Sequence, residues 1–173
     1  MERNLLLLDL LVVLLALLSP GAQLAALEGP DAYSSLSELY KKGVDLALQQ
    51  VNSLTRIQQR FLFFKTLTKS ETEAGFGTSY IYHNFYIKAT KCSRSVVEPN
   101  PNKCPFRSDR PLIDCAVCYR TVSGDVAEDP KPYIHCVHKP ALTGEAVSKR
   151  VEHCKTMSYS HGSPTLLASK GQK

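Results

Sequence analysis

Residues 92–154 read CSRSVVEPNPNKCPFRSDRPLIDCAVCYRTVSGDVAEDPKPYIHCVHKPALTGEAVSKRVEHC and hold all six cysteines of the 173-residue chain, spaced C-x11-C-x10-C-x2-C-x17-C-x17-C. Such a block is either a disulfide framework or a metal site, and the fold of the second half of the chain depends on which. Cys115-x2-Cys118, followed by His135, Cys136 and His138, has ligand types and spacings that close a tetrahedral zinc site in a reducing compartment. The compartment therefore decides, and its signal lies at the other end of the chain.

Leu5 to Leu18 is an apolar run broken only by Asp9, preceded by Arg3 and followed by Ser19, Pro20, Gly21 and Ala22. Its length falls short of the ~20 residues that span a bilayer, and no basic stop-transfer cluster follows, so residues 1–22 read as a secretory signal peptide. Export places the cysteines where an even number is spent on disulfides, so disulfides are expected in place of zinc. The remainder has the size of one domain. A formal charge of +5 favours acidic partners without selecting one.

Leu36, Leu39, Tyr40, Val44, Ala47, Leu48 and Val51 recur at three- and four-residue steps, which predicts an amphipathic helix to about Ser53. Ser35-Leu36-Ser37-Glu38 before them matches a capping box. Gly43 costs the helix roughly 1 kcal/mol against alanine, which is tolerable if the backbone approaches a sheet there. Two strands follow, Ile57 to Thr68 and Tyr80 to Thr90, with Ser70 to Gly77 as the loop between them. The second strand alternates, placing Ile81, Phe85 and Ile87 on one face and Tyr80, Tyr82 and Tyr86 on the other. That tyrosine face is either a solvent-facing surface, the commoner case, or a binding surface.

Glu98-Pro99-Asn100-Pro101-Asn102 is a turn-rich excursion that a bridge between Cys92 and Cys104 would tie off. Asp114 to Val122 and Pro132 to His138 read as two more strands joined by the loop Ser123 to Lys131, so that Cys115 or Cys118 can face Cys136 across an antiparallel pair. Glu145 to Cys154 fits a short helix or a last strand equally well. Met157 to Lys173 lacks an apolar period and has the composition of an unpacked tail. The expected architecture is α+β: one domain over residues 31–156, an antiparallel sheet with a helix laid across it, and a flexible tail over 157–173.

This order of elements resembles the cystatin and cathelicidin fold, and the six-cysteine spacing is similar to that of the chemerin (retinoic acid receptor responder) family. Thr90-Lys91-Cys92, Cys115-Ala116-Val117-Cys118 and the step from Cys136 to Cys154 carry the likeness. The resemblance implies a cystatin-like sheet wrapped on one long N-terminal helix, with bridges Cys92–Cys104, Cys115–Cys136 and Cys118–Cys154. It also implies a secreted precursor, monomeric and without cofactor or nucleic-acid partner. In that family, proteases trim the C-terminus to free a peptide that enters a G-protein-coupled receptor, attracting leukocytes and acting on fat cells. Here Tyr159, Gly162 and Ala168-Ser169 occupy the place of that peptide, Lys170 offers a trypsin-like cut, and Leu166 and Leu167 stand where the family has aromatic residues.

Three other functions compete. An enzyme is not expected: no nucleophile, base and acid are grouped at a strained glycine turn, and the cysteines are expected to be oxidised. Cystatin-type inhibition of cysteine proteases needs a Gln-x-Val-x-Gly hairpin, absent from Glu71 to Gly77, and a Pro-Trp loop, which a chain without tryptophan lacks. A cathelicidin-like host-defence or antimicrobial role, or binding of heparin-like polysaccharide, would draw on Lys88, Lys91, Arg94, Lys103, Arg107 and Arg110, which outnumber Glu98 and Asp109. The plainer reading of those charges is a solvated face, since screening over ~8 Å leaves scattered cations little joint effect.

Overall fold

The computed structural model describes residues 28–95 and 103–160. Within them α1 (Pro30–Ser34) leads into α2 (Glu38–Ser53), followed by strands β1 (Gln59–Gly75), β2 (Thr78–Ser93), β3 (Ile113–Val122), β4 (Asp125–Val126) and β5 (Tyr133–His138). A 3-10 turn at Lys139–Ala141 and a final helix, α3 (Gly144–Ser160), complete the order. The class is α+β with an antiparallel sheet, as the sequence patterns predict. β1 pairs β2 and β2 pairs β3. The other edge of β3 pairs β5 along Ile113 to Cys118 and β4 at Thr121 and Val122.

The helical stripe of α2 is the one the periodicity marks: Tyr40, Val44, Ala47 and Val51 are buried, with Gly43 among them. They meet the odd-numbered face of β2 (Ile81, Phe85, Ile87, Ala89), Phe61 and Phe63 of β1, and Cys115, Val117 and Tyr119 of β3 in one core. Strand alternation explains why these residues share a face, since successive side chains point to opposite sides of a sheet. Gly43 is where helix and sheet touch. A Cβ there would lie 2.7 Å from the Tyr119 ring, and the Tyr119 hydroxyl donates to the Leu39 carbonyl.

Three local expectations are corrected. The capping box is not formed: α2 starts at Glu38 with Ser37 as N-cap, and the Ser35 hydroxyl donates to the Ala32 carbonyl (2.8 Å), closing α1. The segment Ser70 to Glu73 is not loop but strand, paired with Tyr82 to Ser79, so the hairpin turns on Phe76-Gly77 alone. Acidic side chains on an exposed edge strand mimic loop composition, and only the two glycines mark the real turn. The span after Val122 also turns tightly, at Ser123-Gly124, before the short β4.

Three disulfides join Cys92 to Cys104, Cys115 to Cys136 and Cys118 to Cys154, and no described cysteine is free. Where the spacing leaves the partner of Cys136 open, the register decides. Cys115 stands directly opposite Cys136 on the face turned to α2, whereas Cys118 points to the other face. The Glu98 to Asn102 excursion lies outside the described residues. Its return is pinned by a bridge of Thr90 with Phe106 and by Arg107 N–H donating to the Ala89 carbonyl (2.9 Å). No helix among the described residues is long and apolar enough to cross a membrane.

Candidate functional site

The even-numbered face of the sheet carries α3, the element from which the C-terminal segment departs. Glu145 to Cys154, which the pattern leaves open between helix and strand, is helix and continues to Ser160. Thr143 starts it, its hydroxyl oxygen accepting from the Ala146 N–H (3.2 Å), an N-cap that satisfies one of the orphan donors of the first turn. Met157 is buried against Tyr80 and Cys118, so the folded part reaches beyond the tail boundary expected at Met157.

Three further contacts fasten the helix. Cys154 is bridged to Cys118 of β3. The His153 ring stacks on Tyr133 of β5 with centroids 4.1 Å apart. One turn earlier, Arg150 is 2 % exposed and its guanidinium stands 2.8 Å from the Asp114 carboxylate, itself 6 % exposed. Asn84 donates to the same carboxylate oxygen (2.7 Å) and to the Cys115 carbonyl (2.9 Å), tying β2 into the network. Beside this pair, burial, with the Arg150 charge adding to it, holds the His135 imidazole below its ordinary pKa. An isolated charge at this depth would cost several kcal/mol, so helix and sheet are matched at this point as well as at the disulfide.

The sequence contains a signal for this site that hydrophobicity alone hides. Val147, Arg150, Val151, Cys154, Met157 and Ser158 follow helical steps, but an arginine in the stripe counts as a solvent residue until its buried acid is known. Asp114, inside an otherwise apolar strand, is the matching anomaly. The tyrosine face divides: Tyr80 is buried and Tyr82 half-buried beside α3, whereas Tyr86 lies farther along and takes the Lys139 ammonium over its ring at 5.3 Å.

Of the tail positions singled out in the sequence, Tyr159 falls in the last turn of α3. Gly162, Leu166, Leu167, Ala168, Ser169 and Lys170 lie outside the described residues. Three of the six basic residues have separate local roles. Arg94 donates to the Asn52 and Leu54 carbonyls (both 2.8 Å), closing the C-terminal end of α2. Arg107 pairs with Asp109 and holds that carboxyl down at about 2. Lys88 sits over the Phe64 ring at 4.7 Å and near Phe106. Lys91, Lys103 and Arg110 are exposed. Cys115 and Cys118 are both spent in disulfides, and among the described residues no cluster of His, Cys, Asp and Glu is arranged to hold a metal ion. The chain matches no protein-family model and no curated protein.

Proposed function

We propose that the chain is a secreted, cystatin-like precursor of the chemerin type, in which the folded domain carries a C-terminal message and performs no catalysis. Proteolysis within residues 161–173 converts it to a ligand for a G-protein-coupled receptor of the chemerin-receptor class, acting as a chemoattractant or adipokine. The observation that carries this reading is the pairing of the cysteines, which is the set the resemblance implies and includes Cys118–Cys154. That bridge crosslinks α3 to the sheet six residues before its end at Ser160, so whatever follows is presented from a fixed base. Three disulfides also fit an oxidising, extracellular setting.

Receptor-activation and migration assays on the full-length protein, a form ending at Ser169 and a form ending at Ser160 test the proposal. Activity confined to the form ending at Ser169 is expected. Equal activity of all three, or silence of all three combined with tight inhibition of papain, overturns it.

A further inference from the structure

α3 covers only part of its face of the sheet. It lies over β3 and β5, held by Cys118, Asp114 and Tyr133, and leaves a cleft of about 290 Å³ between its flank and the β1–β2 hairpin. The register fixes the walls. Ser70 stands opposite Tyr82 and Thr72 opposite Tyr80, so a row of β1 hydroxyls beginning at Thr68 runs beside two tyrosine side chains on one face. The facing wall is Val151, Cys154 and Lys155, one turn of α3, with the Cys118–Cys154 bridge between the walls. None of the six ion pairs among the described residues uses Lys155.

We infer that this cleft is a binding site for a small amphipathic carboxylate, its alkyl part laid against the disulfide, Val151 and the tyrosine rings and its anionic head held at Lys155. The chemistry of the walls selects the class. Apolar surface dominates, which suits a hydrocarbon, and one ammonium in a cleft that otherwise offers only hydroxyls suits a single negative charge better than a phosphate, for which ligand sites usually gather more donors. No acidic side chain lines the cleft, which disfavours amines. The volume is at the small end of ligand pockets, so a medium-chain acid fits and a long-chain one overruns it. All of the lining residues precede the C-terminal segment over residues 161–173.

The test is an amide chemical-shift titration of the full chain with octanoate, below its micelle concentration, and with octylammonium as the charge-reversed probe. Octanoate is expected to give saturable shifts at sub-millimolar concentration confined to Thr68–Thr72, Tyr80–Tyr82 and Val151–Ser158, and octylammonium none that saturate there. Lys155→Met should weaken octanoate about tenfold, the loss of one charge-assisted contact, without changing the melting temperature. Val151→Phe should fill the cleft and abolish the shifts. If that substitution unfolds the protein, the exposed Lys155 variant still decides. Shifts scattered over the surface, equal affinity for the two probes, or octanoate binding unchanged in Lys155→Met would overturn the inference.

Discussion

Tyr119 presses its ring against the backbone of α2 where Gly43 has no side chain, and its hydroxyl reaches the Leu39 carbonyl. Gly43→Ala should therefore lose more from the clash with a fully buried ring than the roughly 1 kcal/mol it gains in helix propensity. A net loss of about 1 to 2 kcal/mol in urea unfolding is expected. His83 presents a different case, a polar ring in the core against Tyr40 and Phe85 with Nε2 bonded to Thr66 (2.9 Å). Burial, reinforced by the Lys69 charge, pushes its pKa down to about 4. The unfolded imidazole titrates near its ordinary value, so between the two the unfolded chain binds the extra proton and stability falls as pH falls. The loss should approach about 3 kcal/mol from about pH 7 to about pH 4, and His83→Gln should flatten that part of the profile in pH-dependent urea melts. At the hairpin tip, Phe76 is 99 % exposed with φ of 51°, in a turn whose two residues both need positive φ. Phe76→Asn, the residue such turns favour, should raise stability by about 0.5 to 1 kcal/mol in the same assay.

Among the contacts that hold α3 to the sheet are one covalent bond and one buried ion pair, and the two should fail differently. Replacing Arg150 by Met leaves the Asp114 carboxylate buried with Asn84 as its remaining partner, at an expected cost of about 3 to 5 kcal/mol in denaturant unfolding, whereas Arg150→Met with Asp114→Leu should recover most of it. Removing the Cys118–Cys154 bridge by paired serine substitutions should cost about 2 to 5 kcal/mol, with hydrogen exchange rising first in α3. These outcomes bear on what the chain discloses before folding. The stripe of α2 and the alternation of β2 were legible because one face of each is apolar and the other polar. The long hairpin was not, since Lys69, Glu71 and Glu73 on an exposed edge are indistinguishable in composition from a loop. Nor was α3: its buried face is built from an arginine, a cysteine and a methionine, and its meaning depends on Asp114 and Cys118, more than thirty residues earlier. Long-range pairing of this kind leaves no local period to read. The cleft beside α3 was hidden for the same reason, because it exists only where a helix fails to cover a sheet.

For the whole molecule, the two faces of one sheet have separate tasks. One buries the core under α2, and the other fastens α3 by a disulfide and an ion pair, so that the segment beyond Ser160 starts from a rigid point. Under the proposed function that segment is the part proteases reach, and the folded domain should resist them. Its trypsin sites in α3 are Lys149, Arg150 and Lys155, and cleavage there requires local unwinding of a helix that Cys154 and Arg150 oppose. Limited trypsin digestion followed by intact mass should show loss of Gly171 to Lys173, by cleavage after Lys170, well before any internal cut. Reduction of the disulfides should abolish that order, because α3 then loses its covalent tie to the sheet and opens at rates comparable with cleavage. Protection of Lys170 in the native protein, or early cleavage at Lys155 with the bridges intact, would separate the C-terminal segment from the signalling role assigned to it while leaving the fold as described.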